Sequence, residues 1–253
     1  MLNAIYIAAI GLQAQKEVLD SSANNFANMN TVGFKRQTID FSSILNRPPV
    51  RFGGAAIAGT DEVSKRVLRS DMTPGALQQT GHPLDVAIAG SGFFEIELPD
   101  GAVGYSRGGS LHVNAGGDLS LSNGLALKAQ LRIPSNVTAL SILDDGSVVG
   151  TLPNSSSQSK LGQLELVSFA DPEQLDYHGD GVYTAPENAP APTRAHPGTE
   201  GMARLATGSV EASNVGMTNE MVSLMLTERV YELNSRVAQI ADEMMGMANN
   251  LRR

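Results

Sequence analysis

The 253-residue sequence predicts an α+β fold in which N- and C-terminal helices pair as a coiled coil and an all-β antiparallel domain lies between them. At both ends of the chain, apolar residues recur at three- and four-residue steps, the seam of a helix packed along its length. Between the ends, short apolar runs alternate with turn dipeptides. Segments rich in Pro and Gly separate these regions and stop helices where they occur.

In the first region, 1–35, the seam is Leu2, Ile5, Ala9, Leu12, Leu19, Ala23 and Phe26, interrupted only at Lys16. The helix ends near Phe26 and runs into an Asn-rich turn. Residues 36–80 read as an extended connecting arm, because Pro48-Pro49 and Gly53-Gly54 exclude a helix and Val63 to Leu68 alternates weakly.

The β domain is expected over 81–200. Strands are predicted at Leu84 to Ala89, Phe93 to Leu98, Ala102 to Arg107, Leu111 to Asn114, Leu119 to Leu121, Leu125 to Leu131, Ala139 to Leu143, Leu161 to Phe169 and Val182 to Thr184. Asp100-Gly101, Gly116-Gly117, Asn123-Gly124, Asp145-Gly146 and Asp180-Gly181 supply hairpin-type turns. Four prolines between Pro186 and Pro197 predict a loop leading out of this domain.

The last region, 201–253, contains the strongest periodic signal. Leu226, Val230, Leu233, Val237, Ile240, Met244, Met247 and Leu251 follow 4,3,4,3,4,3,4 spacing without interruption. Thr218, Asn219 and Glu220 suit the start of this helix, and Arg252-Arg253 suit the negative end of its dipole. Further apolar residues lie off the seams: Tyr6, Ile7, Ile10 and Val18 on the first helix, Met221, Leu224, Met225, Tyr231 and Met245 on the last. A two-helix hairpin covers one face of each helix, so the remainder needs either the β domain or other molecules. A helix of roughly 50 Å, at about 1.5 Å per residue, outruns a β domain of this size and favours other molecules.

Composition narrows the function. With no Cys there is neither a disulfide framework nor a thiol nucleophile. His82, His112, His178 and His196 are too dispersed for ordinary zinc spacings, and no metal or cofactor site is predicted. Residues 81–200 hold 14 acidic against 5 basic residues, and the basic residues cluster only as Lys35-Arg36, Lys65-Arg66 and Arg252-Arg253, so nucleic acid is not an expected partner. The apolar stretch Leu2 to Leu12 lacks a basic residue before it and is too short to span a bilayer, which predicts a retained helix rather than a cleaved signal or an anchor.

Candidate chemical sites read as turns. Gly90-Ser91-Gly92 is followed by no helix pattern, so it is a β turn rather than a dinucleotide loop. His82 and Asp85 lack the strand-turn-helix context of a nucleophile elbow. Asp144-Asp145 precedes Gly146 in a hairpin turn, though paired carboxylates can bind a cation weakly. Asn136-Val137-Thr138 and Asn154-Ser155-Ser156 match glycosylation sequons, a short motif of high false-positive rate. No catalytic residue is predicted.

The turn after the first helix reads Ser22-Ala23-Asn24-Asn25-Phe26-Ala27-Asn28-Met29-Asn30-Thr31-Val32-Gly33-Phe34-Lys35, and here the chain resembles the flagellar basal-body rod and hook family, with Phe26 in place of the usual Leu. Asn24, Asn25, Asn28, Thr31, Gly33 and Phe34 form its helix-exit motif. Similar blocks are Gly75 to Ile88 with Gly90 to Phe94, Tyr105 to Ser110, and Gly208 to Val215 followed by Glu228-Arg229-Val230-Tyr231-Glu232-Leu233-Asn234-Ser235. Within the family the chain is most like the distal rod subunit on Tyr231 to Ser235. The proximal rod subunit is second, on Asp71-Met72-Thr73-Pro74-Gly75 and the short arm.

The resemblance implies a structural, non-enzymatic subunit that assembles with itself and with other rod or hook subunits into a helical tube transmitting torque across the periplasm. Export by the flagellar apparatus without a cleaved signal is implied with it. The expected assembly residues are Leu2, Ile5, Ala9, Leu12, Leu19 and the seam from Leu226 to Leu251. The alternative from another class is a secreted β-rich binding module or adhesin.

Overall fold

A computed structural model describes residues 2–39, 68–129, 131–152, 158–186, 189–199 and 201–250. Two compact units emerge. One comprises the terminal helices with residues 37–69, and the other comprises residues 28–36 and 70–214.

In the helical unit, α1 (Leu2–Ala27) and α2 (Met217–Asn250) lie side by side. Gln15 Nε2 donates to the Thr227 carbonyl at 3.4 Å, Ser22 Oγ meets Ser223 Oγ at 3.4 Å, and the side chain of Asn234 lies against Gly11. Contacts that climb one helix as they descend the other make the pair antiparallel. Strand β1 (Gln37–Ile39) packs on α1 and pairs with β2 (Leu68–Ser70). The remainder of the predicted arm, 40–67, lies outside the described residues, as do Asn154 to Ser156 of the second sequon.

The β unit is built of antiparallel strands. In chain order they are β3 (Leu77–Gln79), β4 (Asp85–Ala89), β5 (Phe94–Glu97), β6 (Val103–Ser106), β7 (Gly108–Val113), β8 (Leu119–Leu121), β9 (Ala139–Ile142), β10 (Ser147–Thr151) and β11 (Gln158–Gln163). There follow β12 (Leu166–Ser168), β13 (Asp176–Gly179), β14 (Val182–Thr184), β15 (Thr193–Ala195), β16 (Arg204–Thr207) and β17 (Ser209–Glu211). Two four-stranded sheets, ordered β13-β14-β6-β5 and β16-β4-β7-β8, are joined where the chain crosses from β6 to β7 at Arg107. A three-stranded sheet β11-β10-β9 and the pairs β12-β15 and β17-β3 complete the unit.

The main core takes alternate residues from several strands, among them Val86, Ile88, Phe94, Ile96, Leu111 and Leu166. Alternation is what a pleated strand with one buried face produces. A second, aromatic cluster holds Phe93, Tyr105 and Tyr183, with Tyr105 edge-on to Phe169 at 4.8 Å. Predicted turns close as read: Gly124 (φ 84°) and Gly146 (φ 79°) sit in the left-handed region that glycine enters without strain.

Several expectations are corrected. Among the described residues of Leu125 to Leu131 there are only isolated bridges at Ala126 and Leu127, because the backbone hydrogen bonds are split between two neighbours, Leu119 and Leu121 on one side and Glu95 and Glu97 on the other. Leu161 to Phe169 is two strands in different sheets, and β10, which lies outside the predicted strands, pairs with β9 across the turn at Asp144 to Gly146. The region after 200 is helical only from Met217: β16 pairs with β4, and β17 with β3, so strands continue past the predicted boundary.

Candidate assembly site

The exposed face of α2 is its apolar one. Leu226, Val230, Leu233, Val237, Ile240, Met244 and Met247 are all exposed, with Leu233 reaching 61 %. The last member of the predicted seam, Leu251, lies outside the described residues. The face turned toward α1 carries the buried Glu220 and Thr227 with half-buried Ser223, Leu224, Asn234, Ser235 and Ala238. These inner positions also recur every three or four residues, offset from the seam by one residue, which is roughly 100° around the helix. Two stripes therefore share one heptad register.

The intrachain pair uses the small, polar stripe and not the predicted apolar seam. Ser, Thr and Gly admit close approach of the two backbones, and their polar groups bond across it. Periodicity reveals a stripe but not its partner, and the coiled-coil pairing of the two helices through their apolar seams is not what the α2 face toward α1 shows. On α1, Leu12 is half-buried and Leu19 is 36 % exposed. Helix α1 runs through Leu2, Ile5 and Ala9, whose side chains lie outside what is described. The off-seam residues Met221, Met225 and Tyr231 are exposed as well. At its start α2 presents Glu220 in the first turn, with the Glu220 N–H donating to the Gly216 carbonyl at 3.0 Å.

The exit motif divides its work. In the helical unit, Asn25 exchanges two 2.8 Å hydrogen bonds with the backbone of Gln37, donating through Nδ2 and accepting through Oδ1. Ser21 Oγ donates to the same Gln37 carbonyl at 3.1 Å, and Asn24 Nδ2 to Gln37 Oε1 at 3.1 Å. In the β unit, the Thr31 hydroxyl donates to Asn28 Oδ1 at 3.1 Å, closing the turn. Gly33, at φ 69°, donates its N–H to the Glu211 carbonyl at 2.7 Å. Phe34 is wholly buried and edge-on to Tyr177 at 5.7 Å.

Sequence reading missed the charged cluster beside this motif. Glu211, 2 % exposed, accepts through Oε1 from Lys35 Nζ at 2.6 Å and from the Gly75 N–H at 2.8 Å, and through Oε2 from Arg107 Nε at 3.1 Å. Arg107 donates further to the carbonyls of Gly92 (2.7 Å) and Gly90 (2.8 Å) and lies over the Phe93 ring. Burial alone would raise the Glu211 carboxyl, but Arg107 and Lys35 outweigh it and hold the group below the usual carboxylate range. Burial lowers the Lys35 ammonium below the ordinary lysine value despite Glu211. A signal was present: Lys35, Gly75, Arg107 and Glu211 fall one in each of four separate motif blocks.

The other candidates have turn and strand roles. Asp85 accepts from Ser110 Oγ at 2.6 Å, and Asp145 from the N–H and hydroxyl of Ser147, both at 2.9 Å. Asp144 accepts from Thr207 Oγ1 at 3.1 Å. No helix among the described residues is long and apolar enough to cross a membrane.

Three family models match in chain order. Residues 5–35 match the flagella basal body rod protein model, 87–150 the flagellar hook protein FlgE/F/G D1 domain, and 206–251 the flagellar basal body rod FlgEFG protein C-terminal model. The chain is 32 % identical to the flagellar basal-body rod protein FlgG of Borreliella burgdorferi, with all of both chains covered. It is 33 % identical to FlgG of Buchnera aphidicola subsp. Baizongia pistaciae, over 97 % of this chain and 98 % of that one. With the rod protein FlgF of Salmonella typhimurium it shares 29 % identity, over 99 % and 98 % of the two chains. The chain belongs to the flagellar basal-body rod protein family, and it is a structural rod subunit rather than an enzyme.

Proposed function

We propose that this rod subunit assembles through the outward apolar stripe of α2, which packs as a coiled coil against terminal helices of neighbouring subunits. The observation that carries the reading is the division of α2 into two stripes: the polar one is occupied by α1, and the apolar one, from Leu226 to Met247, remains exposed. Over those 22 positions, at about 1.5 Å each, the stripe is roughly 30 Å long. An apolar band of that extent on a monomer marks a protein interface. Leu2, Ile5, Ala9, Leu12 and Leu19 of α1, and Leu251, join the same packing.

Repetition of one subunit contact that does not close on itself generates a helical tube. In this reading the tube stands in the periplasm, meets other rod or hook subunits at its ends and transmits torque. The subunit reaches it through the flagellar export apparatus without a cleaved signal. Relatives named as basal-body rod proteins across the full chain support the setting. The test is sedimentation and electron microscopy of the purified chain at rising concentration. Concentration-dependent tubes are expected, and a chain that stays monomeric at millimolar concentration would overturn the reading.

A further inference from the structure

The β unit contains a buried ion cluster that is not among the residues of the proposed assembly contact. Its members come from four distant stretches: Lys35 after the exit turn, Gly75 before β3, Arg107 at the crossing from β6 to β7, and Glu211 at the end of β17. Lys35, Gly75 and Arg107 stand 176, 136 and 104 residues from the carboxylate they share. The backbone repeats the same ties. Gly33 N–H donates to the Glu211 carbonyl, Arg36 N–H to Asn214 Oδ1 at 2.7 Å, and Asn214 Nδ2 to the carbonyls of Asp71 (2.8 Å) and Thr73 (3.1 Å). Lys35 Nζ donates to that Thr73 carbonyl as well, at 2.8 Å. The stretch arriving from α1 and the stretch departing toward α2 are thus bonded to each other and to 71–75.

Such a cluster resists partial opening. One carboxylate is shared by two cations, all with side chains at most 4 % exposed. Withdrawing the shared carboxylate leaves both cations charged and out of water, a larger penalty than the net worth of an intact pair. Asp71, whose carboxylate accepts from the Thr73 N–H at 3.0 Å, and the buried Tyr183 are the other titratable groups coupled to it. Contacts across more than 100 residues of chain also carry a loop-closure cost that is met only once the sheets have brought Arg107 and Glu211 together.

We propose that Lys35, Glu211 and Arg107 form a two-state clasp: it closes after the β sheets have formed, and when it opens it releases residues 31–36 and 212–214 together while the β core stays folded. Both connections to the terminal helices become ordered only on a folded β core. The clasp acts within a single chain, so it stands or falls separately from the assembly reading.

The experiment is amide hydrogen exchange on the full-length chain, at a concentration where sedimentation shows a monomer. In Glu211→Gln, the amides of Gly33, Arg36 and Gly75 are expected to exchange on the order of a hundredfold faster or more, by the usual cost of stranding a buried charge. Those of Leu127 and Leu164, bonded to the carbonyls of Leu119 and Gly146, are expected to keep their rates. Removing one of the two stranded cations, in Glu211→Gln with Lys35→Met, should restore part of the protection. Equal acceleration at Leu127 and Leu164 would show that the cluster is an element of the global fold, and no acceleration at Gly33 and Arg36 would show that it holds nothing; either overturns the proposal. Should Glu211→Gln fail to fold, the natural chain taken from pH 7 to pH 3 provides the same comparison. There, release of Gly33 and Arg36 before Leu127 and Leu164 supports the clasp, and simultaneous release refutes it.

Discussion

Leu233→Asp separates assembly from folding. Leu233 is 61 % exposed on the outward stripe of α2, so the isolated chain has little to lose at this position. With two-fifths of the side chain buried, out of about 1.5–3 kcal/mol for a whole Leu, the monomer forfeits roughly 1 kcal/mol, and the poorer helix propensity of Asp costs about 0.5 kcal/mol more. An assembled neighbour covers the remaining three-fifths, worth about 1–2 kcal/mol, and confines an unpaired carboxylate at a further cost of several kcal/mol. About 4–6 kcal/mol per contact is a factor of roughly a thousand to ten thousand in the association constant, at about 1.4 kcal/mol per tenfold.

Three measurements are paired: sedimentation for assembly, cell motility for function and calorimetry for folding. The expected outcome is a monomer at every accessible concentration, immotile cells, and a β-unit transition within a degree or two of the natural chain. Normal tubes and motility would refute the stripe as the assembly contact. A collapsed transition would show instead that Leu233 belongs to the monomer's own core.

Other expectations follow from particular contacts. Gly75→Ala places a Cβ into the Ala212 carbonyl, where no flexible side chain can yield, and several kcal/mol of protection are expected to vanish in hydrogen exchange from the Ala212 amide, which donates to the Ala76 carbonyl; a neutral result would show that 73–75 can move. Asn25→Ala removes two 2.8 Å bonds to buried backbone of Gln37, so about 1–3 kcal/mol of protection should vanish from the Gln37 amide in hydrogen exchange. Acid should loosen the β unit. Glu211 and Asp85 are raised by burial but lowered further by Arg107 and Lys35 in one case and the Ser110 hydroxyl in the other, so both stand below their ordinary values of 4.5 and 3.8. A depressed carboxylate stabilises the fold above its unfolded pKa, and that stability drains as pH falls through the folded one. The transition temperature should hold from pH 7 to about 5 and decline below about 4, and a thermal scan showing no decline to pH 2 would contradict the assignment.

The two end helices, the antiparallel strands and their turns were legible because each is written locally. Heptad steps mark Leu226 to Met247 as one stripe, alternation marks Val86 and Ile88 as one face, and Asn123-Gly124 needs a backbone only glycine readily adopts. The polar stripe Glu220, Ser223, Thr227 and Asn234 has the same spacing, but its residue types give no hydrophobic contrast, so only packing revealed that it and not the apolar seam meets α1. The clasp was hidden for a different reason. Lys35, Gly75, Arg107 and Glu211 are separated by up to 176 residues, and nothing local to any one of them specifies the others. Sequence alone determined the end helices, many of the strands and the family, through short-range stereochemistry and ordered motifs. The tertiary structure decided which helix face remains exposed and which charges meet, since both depend on where distant stretches of chain are brought together.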